Sequence, residues 1–411
     1  MIAGGGAAGF FAAIACAERN PAARVTICEA TAQPLAKVRI SGGGRCNVTH
    51  ACFEPDALLR HYPRGGRELR GPFHRWGPRE TVAWFAARGV ALKTEADGRM
   101  FPVTDDAGTV VSCLQRAAAA AGVTVRTRCG IRAARAGFEV QLTSGETVAC
   151  DRLLLATGGG AAGGGLGIAG QFGHAIEPPV PSLFTFHVED PRLAGLAGVS
   201  VDPVEVTVPA AKLRESGPLL ITHWGLSGPA ILKLSAWGAR PLHDCGYRFA
   251  LVVNWVPPHG TDEVWAGLVR LRAERPRRQV AARAQFGLPQ RLWERLTAAA
   301  GVVPASPWAS LSNEVLKALA AQLARGEFTV AGKSLFKEEF VTCGGVRLDE
   351  VDFRTMASRR CPGLYLAGEI LDIDGLTGGF NFQSAWTTGW LAGQAMAGQA
   401  MAGDSGRGPM V

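Results

Sequence analysis

The chain predicts an α/β fold in which one doubly wound domain, assembled from both ends of the sequence, is interrupted by a β-rich, barrel-like insertion and then by a helical one. Three observations predict it. The start carries Gly4-Gly5-Gly6-Ala7-Ala8-Gly9, a G-x-G-x-x-G, with an acid, Glu29, beyond it. The end carries a strand-like Gly363 to Ala367 that runs into Gly368-Glu369 and, further on, Gly378-Gly379. Between these ends the apolar period changes to short alternating segments, then to a helical period, and back.

Met1-Ile2-Ala3 is the first strand, short for the centre of a sheet, where about five residues are usual. Ala8 to Arg19 reads as a helix and Arg24 to Glu29 as a second strand ending in the acid, which is the context that gives G-x-G-x-x-G its meaning. Glycines permit a tight turn and let phosphates approach a helix N-terminus, whose free N–H groups and dipole favour anions. Gly4, Gly6, Ala7, Ala8 and Gly9 are therefore expected to cradle a pyrophosphate, and Glu29 to accept hydrogen bonds from adenosine ribose hydroxyls. The same stretch is a poor secretory leader, because it lacks a positively charged start and glycines break its centre.

Next comes Lys37-Val38-Arg39-Ile40 and then Ser41-Gly42-Gly43-Gly44-Arg45-Cys46-Asn47, followed by an Arg/Pro/Gly-rich loop around Pro63 to Pro78. Helices are expected from Pro78 to Arg88 and from Thr109 to Ala121. Arg152 to Ala156 is a continuous apolar strand of the buried parallel kind, ending at Thr157-Gly158-Gly159. Gly165 to Gly170 repeats G-x-G-x-x-G, yet no strand leads directly into it and no acid follows at the expected distance, so it reads as a covering loop. The β-rich insertion spans 181–257 and the helical one 258–332, after a first domain part of 1–180. The chain returns to the first domain over 333–403, with a frayed tail at 404–411.

Composition is that of an ordinary globular chain, with 47% hydrophobic and 19% charged residues. No apolar run approaches the 18 or so residues of a membrane span without glycine or charge. Ten cysteines occur without a C-x-x-C pair, so neither zinc spacing nor a disulfide framework is visible, and no metal is expected. Reduced thiols fit a cytoplasmic enzyme. Net charge is +8, carried by arginine. Arg270, Arg272, Arg275, Arg277, Arg278, Arg283, Arg291 and Arg295 cluster in the helical insertion, through mutational bias or as phosphate partners.

Taken together, the chain resembles the BaiN/RdsA family of NAD(P)/FAD-dependent oxidoreductases over essentially its whole length. The resemblance rests on Ser41 to Asn47, Arg99-Met100-Phe101-Pro102, Thr222-His223-Trp224-Gly225-Leu226-Ser227-Gly228-Pro229, Thr342-Cys343-Gly344-Gly345-Val346 and the Gly368-to-Gly379 stretch. It implies a discontinuous Rossmann-like FAD-binding domain, with NAD(P)H as transient reductant and an ene-type reduction. Substrates in relatives fall into two groups, an rRNA uridine and steroid-like enones, and both stay open. Many relatives have asparagine at the position of His50 and lysine at that of Asp106, and these departures bear on the substrate.

Candidate FAD contacts beyond the N-terminal turn are Lys37, Ser41, Gly42, Gly43, Arg45, Cys46 and Asn47, then Ile131, Thr157 and Gly158. At the C-terminal end they are Gly368, Glu369, Asp372, Gly378, Gly379 and Asn381, where the last helix would stabilise negative charge on a reduced ring. Cys46 and His223 are the catalytic candidates, each weighed against a structural role. A further alternative is a non-enzymatic nucleic-acid binder, because Gln279 to Ala299 mimics a helix-turn-helix.

Overall fold

The structure, a computed structural model, describes residues 1–135, 137–160, 164–333 and 341–398. It divides into two units, Met1–Pro179 with Val341–Val411, and Val180–Phe340. The tail expected at 404–411 lies outside the described residues.

The first unit is built on a seven-stranded sheet, five of whose strands are parallel, in the order Leu364–Leu366, Leu153–Leu155, Ile2–Ala3, Thr26–Cys28 and Thr124–Arg126. Ile2 and Ala3 form a two-residue strand, yet they pair on both sides, and Ile2 is fully buried. Leu153, Leu154 and Leu155 are all fully buried, as a parallel strand covered on both faces requires. Two short antiparallel strands, Val351–Asp352 and Ala357–Ser358, finish one edge.

Helix Ala7–Arg19 packs against the chain's last helix, Phe380–Ala397. A Cβ on Gly389 would lie 2.5 Å from the Ala8 carbonyl oxygen, and one on Gly393 2.3 Å from that of Ala12. The two helices thus approach at backbone distance, which is how the far C-terminus completes a domain begun at residue 1.

The second unit holds a seven-stranded antiparallel sheet in the order Gly326–Val330, Phe249–Asn254, Ser200–Val208, Leu213–Thr222, Gly225–Ser227, Phe186–His187 and Gly332–Lys333. The strands at the two ends of that order are consecutive in sequence, separated only by Ala331, so the sheet curls back on itself. Helices Thr261–Glu274, Gln290–Ala299 and Asn313–Ala324 share one apolar core with it, including Val206, Val253, Leu268, Trp293 and Leu319.

No helix-turn-helix exists in the segment that mimics one. Only Gln290–Ala299 is helical there, and the residues before it form a loop bridged at Gln279 to Pro307. Val280, Leu288, Leu292 and Leu296 all point into the core.

Candidate active site

Parallel strands deliver their C-terminal ends to one edge, where an open α/β sheet forms its crevice. Four motifs that are far apart in sequence meet there: Gly4-Gly5-Gly6 after the first strand, Glu29 after the second, Thr157-Gly158 after Leu153–Leu155, and Gly368-Glu369 after Leu364–Leu366.

Gly4 has φ +106°, and a Cβ on it would lie 2.3 Å from the Ala156 carbonyl oxygen. A Cβ on Gly9 would lie 2.0 Å from the Gly4 carbonyl oxygen. These two glycines are therefore demanded by the protein's own turn. Gly6 differs: it caps helix Ala7–Arg19 in extended conformation with no side-chain cap, and nothing lies within 4 Å of its would-be Cβ. The first-turn N–H groups of that helix, at Ala7 and Ala8, consequently keep their donors for an anion.

Glu29 is tied down from three sides. Its carboxylate accepts from Gly5 N–H (2.8 Å), Thr31 N–H (2.8 Å) and the Thr31 hydroxyl (2.8 Å). An ionised carboxylate has further lone pairs, so a sugar hydroxyl can still donate to it. Ile131 is buried and opens strand Ile131–Ala134 next to Gly130.

On the other side of the crevice Lys37 donates to Glu369 Oε2 (2.5 Å), whose Oε1 accepts from Thr342 N–H (2.9 Å). Gly158, with φ +80°, faces the same carboxylate. The Thr157 hydroxyl is enclosed and has no protein partner. Asp372 accepts from Gly344 N–H (2.9 Å). Gly368 packs on Ala8 at the start of the first helix, and its N–H is held by Thr388 Oγ1 (2.9 Å).

Residues 36–47 take a shape that the glycines make possible. A helix over Ala36–Gly44 breaks at Ser41, and Gly42 and Gly43 adopt left-handed φ of 58° and 70°. Ser41 Oγ donates to the Val38 carbonyl (3.0 Å), and no atom lies within 4 Å of a Cβ on Gly43. Asn47 links this turn to the C-terminal motif. With its amide oriented to satisfy both groups, it donates to the Thr49 carbonyl (3.0 Å) and accepts from Gly379 N–H (2.9 Å). A Cβ on Gly379 would lie 2.5 Å from the Thr49 carbonyl oxygen, so the start of the last helix and strand Thr49–His50 touch through backbone.

Several expected ligand contacts also have partners within the protein. Arg45 donates to Glu95 (2.6 Å), lies 3.5 Å from Asp105 and covers the Phe101 ring, beside the paired strands Leu92–Thr94 and Arg99–Pro102. Asn381 braces the preceding turn, accepting from Gly375 N–H (2.8 Å) and donating to the Gly375 carbonyl (2.8 Å). Cys46 is fully buried, and burial pushes its thiol up to about 12, so it keeps its proton. That is the behaviour of a packed thiol. His223 belongs to the second unit, exposed at the turn after Leu213–Thr222.

The two departures from the family pattern also have internal roles. Asp106 caps helix Ala107–Ala120, accepting from Gly108 N–H (2.8 Å). His50 bonds the Asp97 carbonyl through Nε2 (3.1 Å) and stacks on Phe380 at 4.7 Å.

Sequence reading missed what braces the crevice. Asp374 is fully buried and paired with Arg64, which contacts both its carboxylate oxygens. The Tyr62 hydroxyl donates to the Phe380 carbonyl (2.6 Å) at the opening of the last helix. Both partners come from the irregular Arg/Pro/Gly-rich loop, which has no period to reveal an inward side chain. The short helix Gly165–Gln171 occupies the second G-x-G-x-x-G.

The description "HI0933-like protein Rossmann domain" matches residues 1–395. The chain belongs to the HI0933-like Rossmann family. Membership places it among FAD-dependent oxidoreductases. It is 32% identical to the ribosomal RNA dihydrouridine synthase of Escherichia coli K12, over 96% of each chain. To the 3-dehydro-bile acid delta(4,6)-reductase of Clostridium scindens it is 30% identical, over 96% of this chain and 98% of that one. Among solved structures, the 3-ketosteroid-Δ4-(5α)-dehydrogenase of Rhodococcus jostii RHA1 superposes with a TM-score of 0.52 at 15% identity, over 97% of this chain and 96% of that one, a likeness of fold.

The crevice fits a dinucleotide of the FAD kind. It offers an uncapped helix N-terminus, open space at Gly6 and Gly43, and an anchored acid at the end of the second strand. Among the described residues no cluster could hold a metal ion, and no helix is long and apolar enough to cross a membrane.

Proposed function

We propose that the protein reduces an electron-poor C=C bond with FAD held in this crevice and NAD(P)H as transient reductant, and that the reduced bond is that of a uridine in ribosomal RNA. The observation that carries the cofactor assignment is the contrast between Gly4 and Gly9, which the fold itself needs, and Gly6, which it does not. Empty space in front of an uncapped helix start is a place kept for a phosphate.

The N–H groups of Ala7 and Ala8 would hold the pyrophosphate, Glu29 the adenosine ribose, and the Ile131 strand backbone the adenine. Ser41 to Asn47, Lys37 and Glu369 would border the ribityl chain and the ring, and Gly378-Gly379 would present the start of the last helix to it. Bound FAD supplies hydride-transfer chemistry that no side chain offers. The last helix contributes its N-terminal dipole, which favours negative charge in front of it.

Two observations support RNA: the near-full-length likeness to a ribosomal RNA dihydrouridine synthase, and exposed arginines in the helical insertion. A small-molecule enone is the second reading, supported by the comparable likeness to the bile acid reductase. An rRNA substrate makes this a cytoplasmic enzyme.

Nucleoside mass spectrometry of rRNA from a deletion strain tests the choice. Loss of one dihydrouridine, restored by the wild-type gene, is expected. Unchanged rRNA, together with NAD(P)H-dependent reduction of a steroid enone by the purified protein, would move the assignment to the small molecule.

A further inference from the structure

Glu350, His174 and Ser358 form a hydrogen-bonded line in the first unit that the flavin chemistry does not use. Backbone pairing brings them together from three segments. Val351 pairs with Ser358, Arg359 N–H donates to the Glu350 carbonyl (2.8 Å), and Arg347 N–H donates to the Ala175 carbonyl (3.1 Å). The His174 side chain is fully enclosed and Glu350 is buried, while Ser358, at the end of strand Ala357–Ser358, is half-buried.

The line has a direction. Glu350 Oε2 lies 3.0 Å from His174 Nδ1, and His174 Nε2 lies 2.7 Å from Ser358 Oγ. Three further donors hold the carboxylate: Ala175 N–H at Oε2 (2.9 Å), and Arg360 Nε and Nη2 at Oε1 (3.1 and 2.7 Å). Burial opposes its charge, yet Arg360, Ala175 N–H and His174 together keep it below the usual glutamate value, so it is ionised and only accepts. Nδ1 therefore carries the ring proton, and Nε2 presents a bare lone pair to the serine O–H. Burial also holds His174 below its ordinary 6.5, against the opposing pull of Glu350, so the ring is a neutral base.

A hydroxyl facing a neutral imidazole, whose other nitrogen is oriented by a carboxylate, is the arrangement that activates a serine as a nucleophile. Two more donors act on Ser358 itself, Arg360 N–H (3.0 Å) and Cys361 N–H (2.9 Å), both at Oγ. They occupy the two lone pairs of the neutral hydroxyl and stabilise the alkoxide, and the pair released from the O–H bond is the one that attacks. A serine that merely closed the turn would use the same two N–H groups, but that task needs no histidine and carboxylate behind it. Because those N–H groups are engaged at Oγ, they are not available to a carbonyl oxygen under attack, which restricts the reaction to activated acyl groups.

We propose that Ser358 is a site of O-acylation by activated acyl donors of the aryl ester or thioester class, with His174 as general base and Glu350 as its positioning residue. Ser358 Oγ bonds to the acyl carbon as its proton passes to His174 Nε2. The bond from that carbon to the aryloxide or thiolate breaks, the leaving group departs with the bonding electrons, and the proton on His174 returns to it through solvent. The three residues lie outside the proposed set of cofactor contacts, so the site stands or falls apart from the flavin reading.

The test treats the flavin-loaded protein with p-nitrophenyl acetate over a pH series and maps acetylated peptides by mass spectrometry. Acetyl on Ser358 is expected at a rate at least about a hundredfold above that of exposed Ser144, the scale of general-base assistance. Hydroxylamine at neutral pH cleaves thioesters and spares oxygen esters, which separates a label on Ser358 from one on neighbouring Cys361. Ser358→Ala should remove the fast release of p-nitrophenolate, and His174→Gln should slow it about a hundredfold or more. Only the neutral imidazole accepts a proton, and His174, faced by Glu350 and Arg360, lies below 6.5. The rate should therefore stay level as pH falls through 6.5 and drop only further down. Melting temperature and flavin content control for folding in each variant. No label at Ser358, a rate equal to that of Ser144, or a folded His174→Gln protein labelled as fast as wild type would overturn the proposal. Should His174→Gln fail to fold, the wild-type pH profile decides: a level rate through 6.5 supports the base, and a rate proportional to hydroxide overturns it.

Discussion

Replacing Gly6 with valine separates a ligand's space from the protein's own space. The residue has φ −88° and ψ −168°, a conformation open to any side chain, and nothing stands within 4 Å of its Cβ position. The fold should lose at most about 1 kcal/mol, the usual scale for an altered N-cap. Two branched methyl groups would nonetheless stand in front of the first-turn N–H groups. Each charge-assisted bond to a phosphate denied in this way is worth about 1.5–3 kcal/mol, so losing two weakens the cofactor by at least about a hundredfold. Gly9→Ala is the contrasting perturbation. Its methyl would lie 2.0 Å from the Gly4 carbonyl oxygen, an overlap that only a backbone shift relieves, at about 1–3 kcal/mol or more. The assay combines flavin absorbance after purification with melting of stripped protein. Gly6→Val should purify colourless and melt close to stripped wild type, whereas Gly9→Ala should melt below it. A Gly6→Val protein with a full complement of flavin would refute the reasoning, because the open space would then belong to nothing.

Two further perturbations address the bracing and the thiol. Asp374→Ala leaves the Arg64 guanidinium without its buried counter-charge and should cost about 3–5 kcal/mol in urea unfolding, whereas a loss below about 1 kcal/mol would mean that the pair is solvated in solution. Cys46 should resist iodoacetamide in native protein under conditions that label exposed Cys245. Its folded value of about 12 exceeds the ordinary 9.0, so its contribution to stability is complete below pH 9.0 and is lost as pH rises towards 12. Cys46→Ser should flatten that alkaline decline, and an equal slope in both proteins would show that the thiol is not enclosed.

What could be read from the chain were features whose cause is local. A helix start needs glycine where a phosphate approaches, so Gly4 to Gly9 announced itself. A strand buried on both faces needs an unbroken apolar run, so Arg152 to Ala156 did too. The extended segments of the second unit were legible by their alternation, as in Val204 to Val208. Legibility ended where partners decide. Arg45 and Asn381 have the donors that a ligand site needs, but donor type does not tell which of the protein's own acceptors lies beside each, Glu95 for Arg45 and the Gly375 carbonyl for Asn381. Cys46 likewise carries a chemistry-bearing atom whose burial raises its proton affinity.

The same distinction explains why Arg64 and Tyr62 were invisible. They come from a loop rich in arginine, proline and glycine, where composition predicts solvent, yet Arg64 pairs with a fully buried aspartate and Tyr62 is itself buried. Their task is to hold the start of the last helix, which the chain reaches only after more than three hundred further residues. Asn47 does the same from the glycine-rich turn, through Gly379. The C-terminal half of the crevice is thus positioned by side chains of the N-terminal half, and the helix whose dipole would face the ring cannot settle until both ends of the chain are in place. Flavin binding and completion of the first unit should therefore be coupled. A lesion at the bracing pair Arg64–Asp374 should lower flavin retention even though neither residue belongs to the proposed set of cofactor contacts.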